Sequence, residues 1–329
     1  MTFKAKPAVF AQLLCLAALG AIGAQLTTAQ AATHSYPERP VKVLFPWMDG
    51  FPANSARLFA EGLSQRLKQP VLVDVRAGAG GEVAARQVVN APADGYTLLA
   101  TGSSITIRSV LDDKNVDGLR DLQPIGRITT TPYVLVAKTG KFGTFSNLVA
   151  QAKAAPGKFN FASAGVGTGM HYLGELINEK AGIEIVHVPY ATGSRQLLAI
   201  NSGDIDVAII SLVTALPHIQ SGSLEALVVS SASRSRALPN VPTLAESGIN
   251  GVPDLGAWIA FFGPKNMPAD ALKLVSEQIQ DISQDPKIQA TVASWGAELP
   301  DSSIEALDST IKAEKASWES VIRKLESPI

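Results

Sequence analysis

The sequence predicts an α/β protein built from two lobes. Short apolar runs typical of buried strands alternate with stretches of helical spacing from about residue 41 onward. Strands separated by helices of this length imply right-handed βαβ units and a parallel sheet covered on both faces. A chain of 329 − 31 = 298 residues after a predicted export signal exceeds the about 100–150 residues of a common domain. We therefore expect two compact lobes joined by strands that cross between them.

Residues 1–31 are predicted to be a signal peptide that exports the protein to the periplasm. Lys4 and Lys6 precede an apolar run over residues 8–24, and the small-residue pattern AQA at residues 29–31 predicts cleavage near Ala31. An uncleaved anchor is the alternative, but a comfortable membrane span needs about 20 apolar residues and this run is shorter.

Composition excludes several classes of function. Without Lys4 and Lys6 the chain keeps 28 − 2 = 26 basic residues against 29 acidic ones, a net charge of −3. This balance offers no basis for a nucleic-acid or anionic-membrane partner, which would need a clustered basic surface. The single cysteine, Cys15, lies in the predicted signal, so the mature chain has no disulfide, thiolate metal site or cysteine nucleophile.

The elements follow in order along the chain. Strands are predicted at residues 41–45, 71–75, 96–100, 133–137, 159–162, 185–188, 207–210, 226–229 and 258–262. Helices are predicted from about Asn54, where Leu58, Phe59, Leu63 and Leu67 share a face, and over residues 82–90, 145–154 and 170–181. Two further helices are expected to close the chain. The last carries an apolar stripe interrupted by Glu314 and Lys315, which predicts that its middle turn lies nearer to solvent.

Two loops, residues 46–54 and 163–169, each follow a strand, open a helix and consist largely of small residues. Helix N-termini present unpaired N–H groups and the positive end of the helix dipole, so they attract anions. Tight turns alone would also explain one such loop. Two of them, one in each predicted lobe, favour an anion-binding cleft.

Catalytic and cofactor motifs are missing from the sequence. The run GVGTGM at residues 165–170 departs from the dinucleotide pattern at Met170, and neither a GK[ST] loop nor a GxSxG elbow occurs. The histidines match no metal motif, and His171 with Glu175 one turn later is by default a surface or capping pair. We therefore expect no metal, no cofactor and no enzymatic activity. Trp47, Phe51 and Tyr190 are either core residues or the apolar wall of a small-molecule pocket.

The mature sequence resembles the substrate-binding receptors of tripartite tricarboxylate transporters, also called Bug receptors. Eight strings in the right order carry the resemblance: YPERP (36–40), RAGAGG (76–81), APADGYTLL (91–99), PGKFNFAS (156–163), GVGTGMH (165–171), HVPY (187–190), ALPHI (215–219) and LPNVPTLAE (238–246).

The resemblance implies a type II periplasmic-binding-protein fold, with residues 36–130 and 232–329 in one lobe and residues 131–231 in the other. It further implies that both loops hold a ligand carboxylate through backbone N–H groups and water. The implied ligand-binding residues are Trp47, Gly50, Phe51, Ser103, Ser104, Gly165, Thr168, Gly169, His171, Tyr190 and Ser211.

Two departures from the family pattern concern the ligand. The first loop reads Asp49-Gly50-Phe51 where the family usually has two glycines, and Ser211-Leu212 replaces a frequent Asp-Asn pair. A charge on Asp49 within about 4 Å of a carboxylate would cost several kcal/mol, so Asp49 must point away or the ligand must differ. A more apolar cleft, suited to an aromatic or aliphatic acid or to a neutral compound, is a hypothesis that follows.

The expected function is capture of a small carboxylated metabolite by closure of the lobes, followed by docking of the closed, monomeric protein on a membrane permease. A receptor subunit that docks on a sensor protein is the first alternative, and a hydrolase or isomerase on the same fold is the second. The sequence does not name the ligand.

Overall fold

A computed structural model describes residues 36–48, 50–190, 192–252 and 255–326, with side chains up to residue 319. The predicted signal peptide and Asp49 lie outside the described residues. The described residues from Tyr36 onward form one compact unit.

In the described residues the sheet has nine strands, and their order along the chain differs from their order in the sheet. The strands are β1 (Val41–Phe45), β2 (Val71–Val75), β3 (Thr97–Gly102), β4 (Leu122–Lys138), β5 (Asn160–Ser163), β6 (Val186–Pro189), β7 (Val207–Ser211), β8 (Leu224–Val229) and β9 (Gly256–Pro264). Their spatial order is β2-β1-β3-β9-β4-β7-β5-β6, with β8 also paired to β4. We call the part built on β1–β3 and β9 the first lobe, and the part built on β5–β8 the second lobe.

The predicted parallel pairing is confirmed for some strands and wrong for others. The β1–β2, β1–β3, β5–β6 and β5–β7 pairs are parallel, as βαβ units require. However, β9 runs antiparallel to β3 and β4, and β4 runs antiparallel to β7 and β8. Strand β4, which passes between the lobes, is therefore antiparallel to β9 of the first lobe and to β7 and β8 of the second.

Strand β4 is far longer than predicted, because only residues 133–137 of its 17 residues were expected. Pro124 and Pro132 lie in the part of β4 that was not predicted, and proline cannot donate to the hydrogen-bond ladder of a sheet. The register shifts between Pro124 and Gly126 and again between Arg127 and Thr129, and such irregularities accommodate extra residues. At Pro132 the strand leaves β9, and from Tyr133 it pairs with β7.

The helices are α1 (Gly50–Leu67), α2 (Glu82–Val89), α3 (Ser104–Leu111), α4 (Phe145–Ala154), α5 (Gly169–Ala181), α6 (Gly193–Ser202), α7 (Leu212–Gln220), α8 (Ala269–Ser283), α9 (Pro286–Ser294) and α10 (Ile304–Glu326). A short 3₁₀ turn, Ala79–Gly81, precedes α2.

Two predictions about the helices are corrected. Helix α1 begins at Gly50, four residues before Asn54, so the first loop is shorter than expected. Three helices rather than two follow β9 in the described residues, because Asp285 caps α9 by accepting a hydrogen bond from Lys287 N, and Pro286 starts it.

Helix α10 joins the cores of both lobes. Leu307 and Ile311 pack in the first lobe around β3 and β9, whereas Trp318 packs against Tyr172 of α5, with their ring centroids 5.1 Å apart. The predicted exposure of the middle turn is wrong for Glu314, which is 6% exposed and accepts a hydrogen bond from Trp258 Nε1 at 2.8 Å. A buried polar partner explains why a charged residue occupies the apolar stripe.

Candidate functional site

The first loop joins β1 to α1 at the carboxyl edge of the first lobe's parallel strands. Gly50 begins α1 with a φ of +77°, a conformation that residues with a Cβ rarely adopt. The half-buried ring of Trp47 packs edge-on against Phe45, with centroids 5.2 Å apart. The first turn of α1 presents N–H groups without helical partners, although Pro52 contributes none.

The second loop joins β5 to α5 and is held by its own side chains. Thr168 caps α5 by accepting a hydrogen bond from His171 N at 3.3 Å, and its hydroxyl donates to Gly165 O at 2.7 Å. Ser163 Oγ accepts from Gly165 N at 3.1 Å. The first N–H groups of α5 have no partners within the helix, and N–H groups in this position bind anions.

Two histidines stack beneath the second loop. The rings of His171 and His187 have centroids 4.2 Å apart, and His187 Nε2 lies 2.6 Å from Ser163 Oγ. Burial, together with the smaller effect of the neighbouring His171, lowers the pKa of His187 to about 4. Burial also lowers the pKa of His171. Both rings are therefore neutral at pH 7, and His171 Nδ1 accepts a hydrogen bond from Gly167 N at 3.4 Å. The predicted His171–Glu175 pair has a separation of 3.8 Å.

Tyr133 connects the two lobes at the floor of the site. Its side chain is buried and hydrogen-bonded to Ser103, which directly precedes α3 and the half-buried Ser104. A Cβ placed on Gly169, at the start of α5, would lie 2.8 Å from the Tyr133 hydroxyl oxygen. Burial raises the pKa of Tyr133 far above its ordinary range. Ser103 and Gly169 are therefore brought together around one hydroxyl group.

Other predicted residues lie around this centre. A Cβ on Gly102 would lie 3.5 Å from the Trp47 ring, so Trp47 lies beside the residue that precedes Ser103. Ser211 pairs with Tyr133 in the sheet, and its hydroxyl contacts that of Thr214 at 2.8 Å. Tyr190 N donates to Ser163 O at 3.0 Å, which places Tyr190 at the edge of the second loop.

Phe51 lies in the first turn of α1 and packs in the core of the first lobe. Its ring is buried in the first lobe's core, 6.5 Å from the ring of Trp295 in an edge-on arrangement. Phe51 and Trp295 line a cleft of about 270 Å³ whose opposite wall is α7 of the second lobe.

Tyr133 and Trp295 were not predicted as site residues. The sequence carries a weak signal for Tyr133, an aromatic hydroxyl next to Pro132 in a strand, but nothing in it shows that Ser103 and Gly169 meet there. Trp295 reaches the site only through the long-range packing of α9 against the first lobe.

Within the described part of the chain, no group of three or more His, Cys, Asp or Glu residues is arranged to hold a metal ion. The same residues contain no helix with the length and apolar character needed to cross a membrane.

Residues 55–327 match the model of the tripartite tricarboxylate transporter family receptor. The chain is 32% identical over 317 residues to the protein BugT of Bordetella pertussis, covering 93% of this chain and 96% of BugT. Malate-bound MatC from Rhodopseudomonas palustris is 25% identical, with a TM-score of 0.74 over 87% of this chain and all of MatC. Rpa4515 from the same organism, solved with adipate, is 26% identical, with a TM-score of 0.77 over 88% of this chain and 97% of Rpa4515. The chain therefore belongs to the receptor family of the tripartite tricarboxylate transporters, with the two-lobe fold of its periplasmic binding proteins.

Proposed function

We propose that this receptor binds a small organic acid in the periplasm and delivers it to a membrane transporter without chemical change. Malate in MatC and adipate in Rpa4515 support a carboxylate as the recognised group. The observation that carries the proposal is the convergence of Ser103 and Gly169, at the starts of helices from different lobes, on the Tyr133 hydroxyl.

The ligand carboxylate is proposed to bind between the N-termini of α1 and α5. N–H groups in the first turn of a helix are strong anion donors, and the dipoles of both helices favour negative charge there. Trp47 and Tyr190 would flank the carboxylate, and Gly165, Thr168 and His171 would shape the second loop around it. Because burial lowers the pKa of His171 and so favours its neutral form, we assign recognition to backbone N–H groups rather than to a fixed cation.

The proposed N–H donors lie in separate lobes, so a ligand that binds both sets of donors favours closure of the lobes. An acid that contacts both loops favours the conformation in which they approach each other, so binding shifts the population toward the closed form. We propose that the closed form acts as a monomer and docks on the permease, after export through residues 1–31 and cleavage near Ala31.

The test is a thermal-shift panel of carboxylic acids, together with mass spectrometry of small molecules released from protein purified from the periplasm. We expect one class of acid to raise the melting temperature by several degrees, because a ligand that binds only the native state stabilises it. No stabilisation by any acid, and no acid released, would overturn the proposal.

Gly169→Ala tests whether the start of α5 forms the site. The added methyl group would meet the Tyr133 hydroxyl, and overpacking of this kind costs about 1–3 kcal/mol. We expect acid binding to weaken in Gly169→Ala and to recover partly in the Gly169→Ala/Tyr133→Phe double variant, which removes the closest contact. Unchanged binding in Gly169→Ala would place the site elsewhere.

A further inference from the structure

The cleft beside the first loop has an apolar floor. Phe51 is 8% exposed and Leu216 of α7 is 5% exposed, while Val213 and Trp295 are half-buried. Phe51 comes from the first turn of α1, whereas Leu216 and Val213 come from the second lobe. The floor is therefore assembled from both lobes, and closure of the lobes changes its shape.

The rim of the same cleft is polar and uncharged. Asn54, Gln220 and Ser294 are exposed and lie at its mouth. None of the described residues that line the cleft carries a charge. A carboxylate placed on the floor would lose its hydration without gaining a cation or a buried donor, which is strongly unfavourable. An apolar group placed there would lose only its contact with water, which is favourable.

The cleft also lies next to the proposed carboxylate site. Gly50, Phe51 and Asn54 of the first helical turn line the cleft, and the same turn supplies N–H groups for the acid. One turn of helix rises about 5.4 Å, so a ligand of a few carbon atoms reaches from these N–H groups to the Phe51 and Trp295 rings.

We infer that the ligand is a monocarboxylic acid with an apolar chain or ring, whose apolar end occupies the cleft between Phe51, Trp295 and Leu216. The inference rests on the proposed function and narrows its ligand class. A receptor for a dicarboxylate would need hydrogen-bond donors for the second carboxylate. In this receptor the end of the ligand far from the carboxylate contacts apolar side chains instead.

Matched acids of equal length test the inference. Hexanoate and adipate have six carbon atoms each and differ only at one end, where hexanoate has a methyl group and adipate a second carboxylate. Butyrate, hexanoate and octanoate form a series of increasing chain length. We expect hexanoate to bind at least tenfold more tightly than adipate in calorimetric titrations. Each added methylene should raise the affinity about fourfold until the cleft is filled, since burying one CH₂ is worth about 0.8 kcal/mol.

Variants locate the apolar end. Trp295→Ala is expected to weaken hexanoate binding about tenfold relative to the wild-type protein. Trp295→Phe should keep the hexanoate affinity within about threefold of wild type. Neither variant should change the weak binding of acetate, which is too short to reach the cleft. Leu198→Ala, which truncates a 70% exposed leucine on α6, serves as the matched control and should leave all affinities unchanged. Unfolding titrations of each variant show whether the fold is retained.

The outcomes separate the two proposals. Tight adipate binding that is indifferent to Trp295→Ala overturns the apolar-ligand inference and leaves the carboxylate receptor intact. Absence of binding by every acid, in the wild-type protein as well, overturns the carboxylate function and the inference with it.

Discussion

At the scale of single residues, two neutral histidines and one buried hydroxyl lie at the candidate site. His187 contacts Ser163, stacks on His171 and lies 4.9 Å from the ring of Phe161, while Glu175 of α5 approaches His171 from the other side. Neutral rings pack in this space, whereas a charged pair would repel and lose hydration. Protonation of these histidines is therefore expected to destabilise the second loop.

This arrangement predicts a pH dependence of stability. The folded pKa of His187, about 4, lies below the unfolded value of about 6.5, so the unfolded chain binds more protons between these two values. Stability is therefore complete above about pH 6.5 and falls as the pH drops toward 4, by at most about 1.4 kcal/mol per pH unit for one group. Partial exposure of the ring reduces this slope.

Denaturant unfolding between pH 4.5 and 7.5 measures the effect. His187→Gln should lose part of the slope because it cannot titrate, whereas carboxylates such as Asp117 contribute equally to both proteins. Identical slopes for wild type and His187→Gln would contradict the prediction.

At the scale of elements, α10 is the connector between the lobes. Lys315 Nζ binds Asp117 Oδ2 at 2.6 Å, next to the buried Glu314. Although burial raises the pKa of Asp117, the bond from Lys315 and the N–H groups of Arg120 and Leu119 lower it to about 2. The polar turn at Glu314 and Lys315 therefore holds α10 in place, because Glu314 binds Trp258 of β9 and Lys315 binds Asp117 in the segment after α3.

Replacement of Glu314 tests this anchor. Glu314→Ala leaves Trp258 Nε1 buried without its acceptor, which is expected to lower the free energy of unfolding by about 1–3 kcal/mol or more. Glu314→Gln keeps an acceptor oxygen and should cost less. Equal stabilities of the two variants in guanidinium titrations would show that the hydrogen bond is unimportant.

At the scale of the whole molecule, three crossing segments meet at Ser230. Its N–H donates to Tyr133 O and its Oγ accepts from Tyr133 N, both at 2.9 Å, while the same Oγ donates to Leu255 O. Ser230 is 6% exposed. One side chain therefore links β4, the segment after β8 and the segment before β9 at the point where the chain passes between the lobes.

Ser230→Ala is expected to loosen this crossing point. Loss of the hydroxyl leaves Tyr133 N and Leu255 O without this partner, at a cost of about 1–3 kcal/mol in stability. Ligand affinity should also fall several-fold. A larger fraction of molecules with the lobes open leaves a smaller fraction competent to bind, which reduces the apparent affinity. Calorimetry and small-angle scattering measure both effects, with the neighbouring Ser231→Ala as control. Wild-type affinity and compaction in Ser230→Ala would refute the role.

Much of the fold was predicted from local pattern. Helix α4 matches its predicted residues, and α5 begins one residue before the predicted start. Both glycine loops lie between a strand and a helix as expected. These features depend on hydrophobic period and on glycine and capping residues, which act over a few positions and can be read directly.

The sequence by itself determined the alternation of strands and helices, the two loops, and the motifs shared with the receptor family from which the candidate residues were predicted. Only the tertiary structure decided the antiparallel course of β4 and β9, the burial of Glu314, the meeting of Ser103 and Gly169 at Tyr133, and the pairing of Phe51 with Trp295. Each of these joins residues distant in the chain, so each depends on how the lobes pack and where strands cross. Local periodicity carries no information about such contacts, and this is why the floor of the site was not predicted.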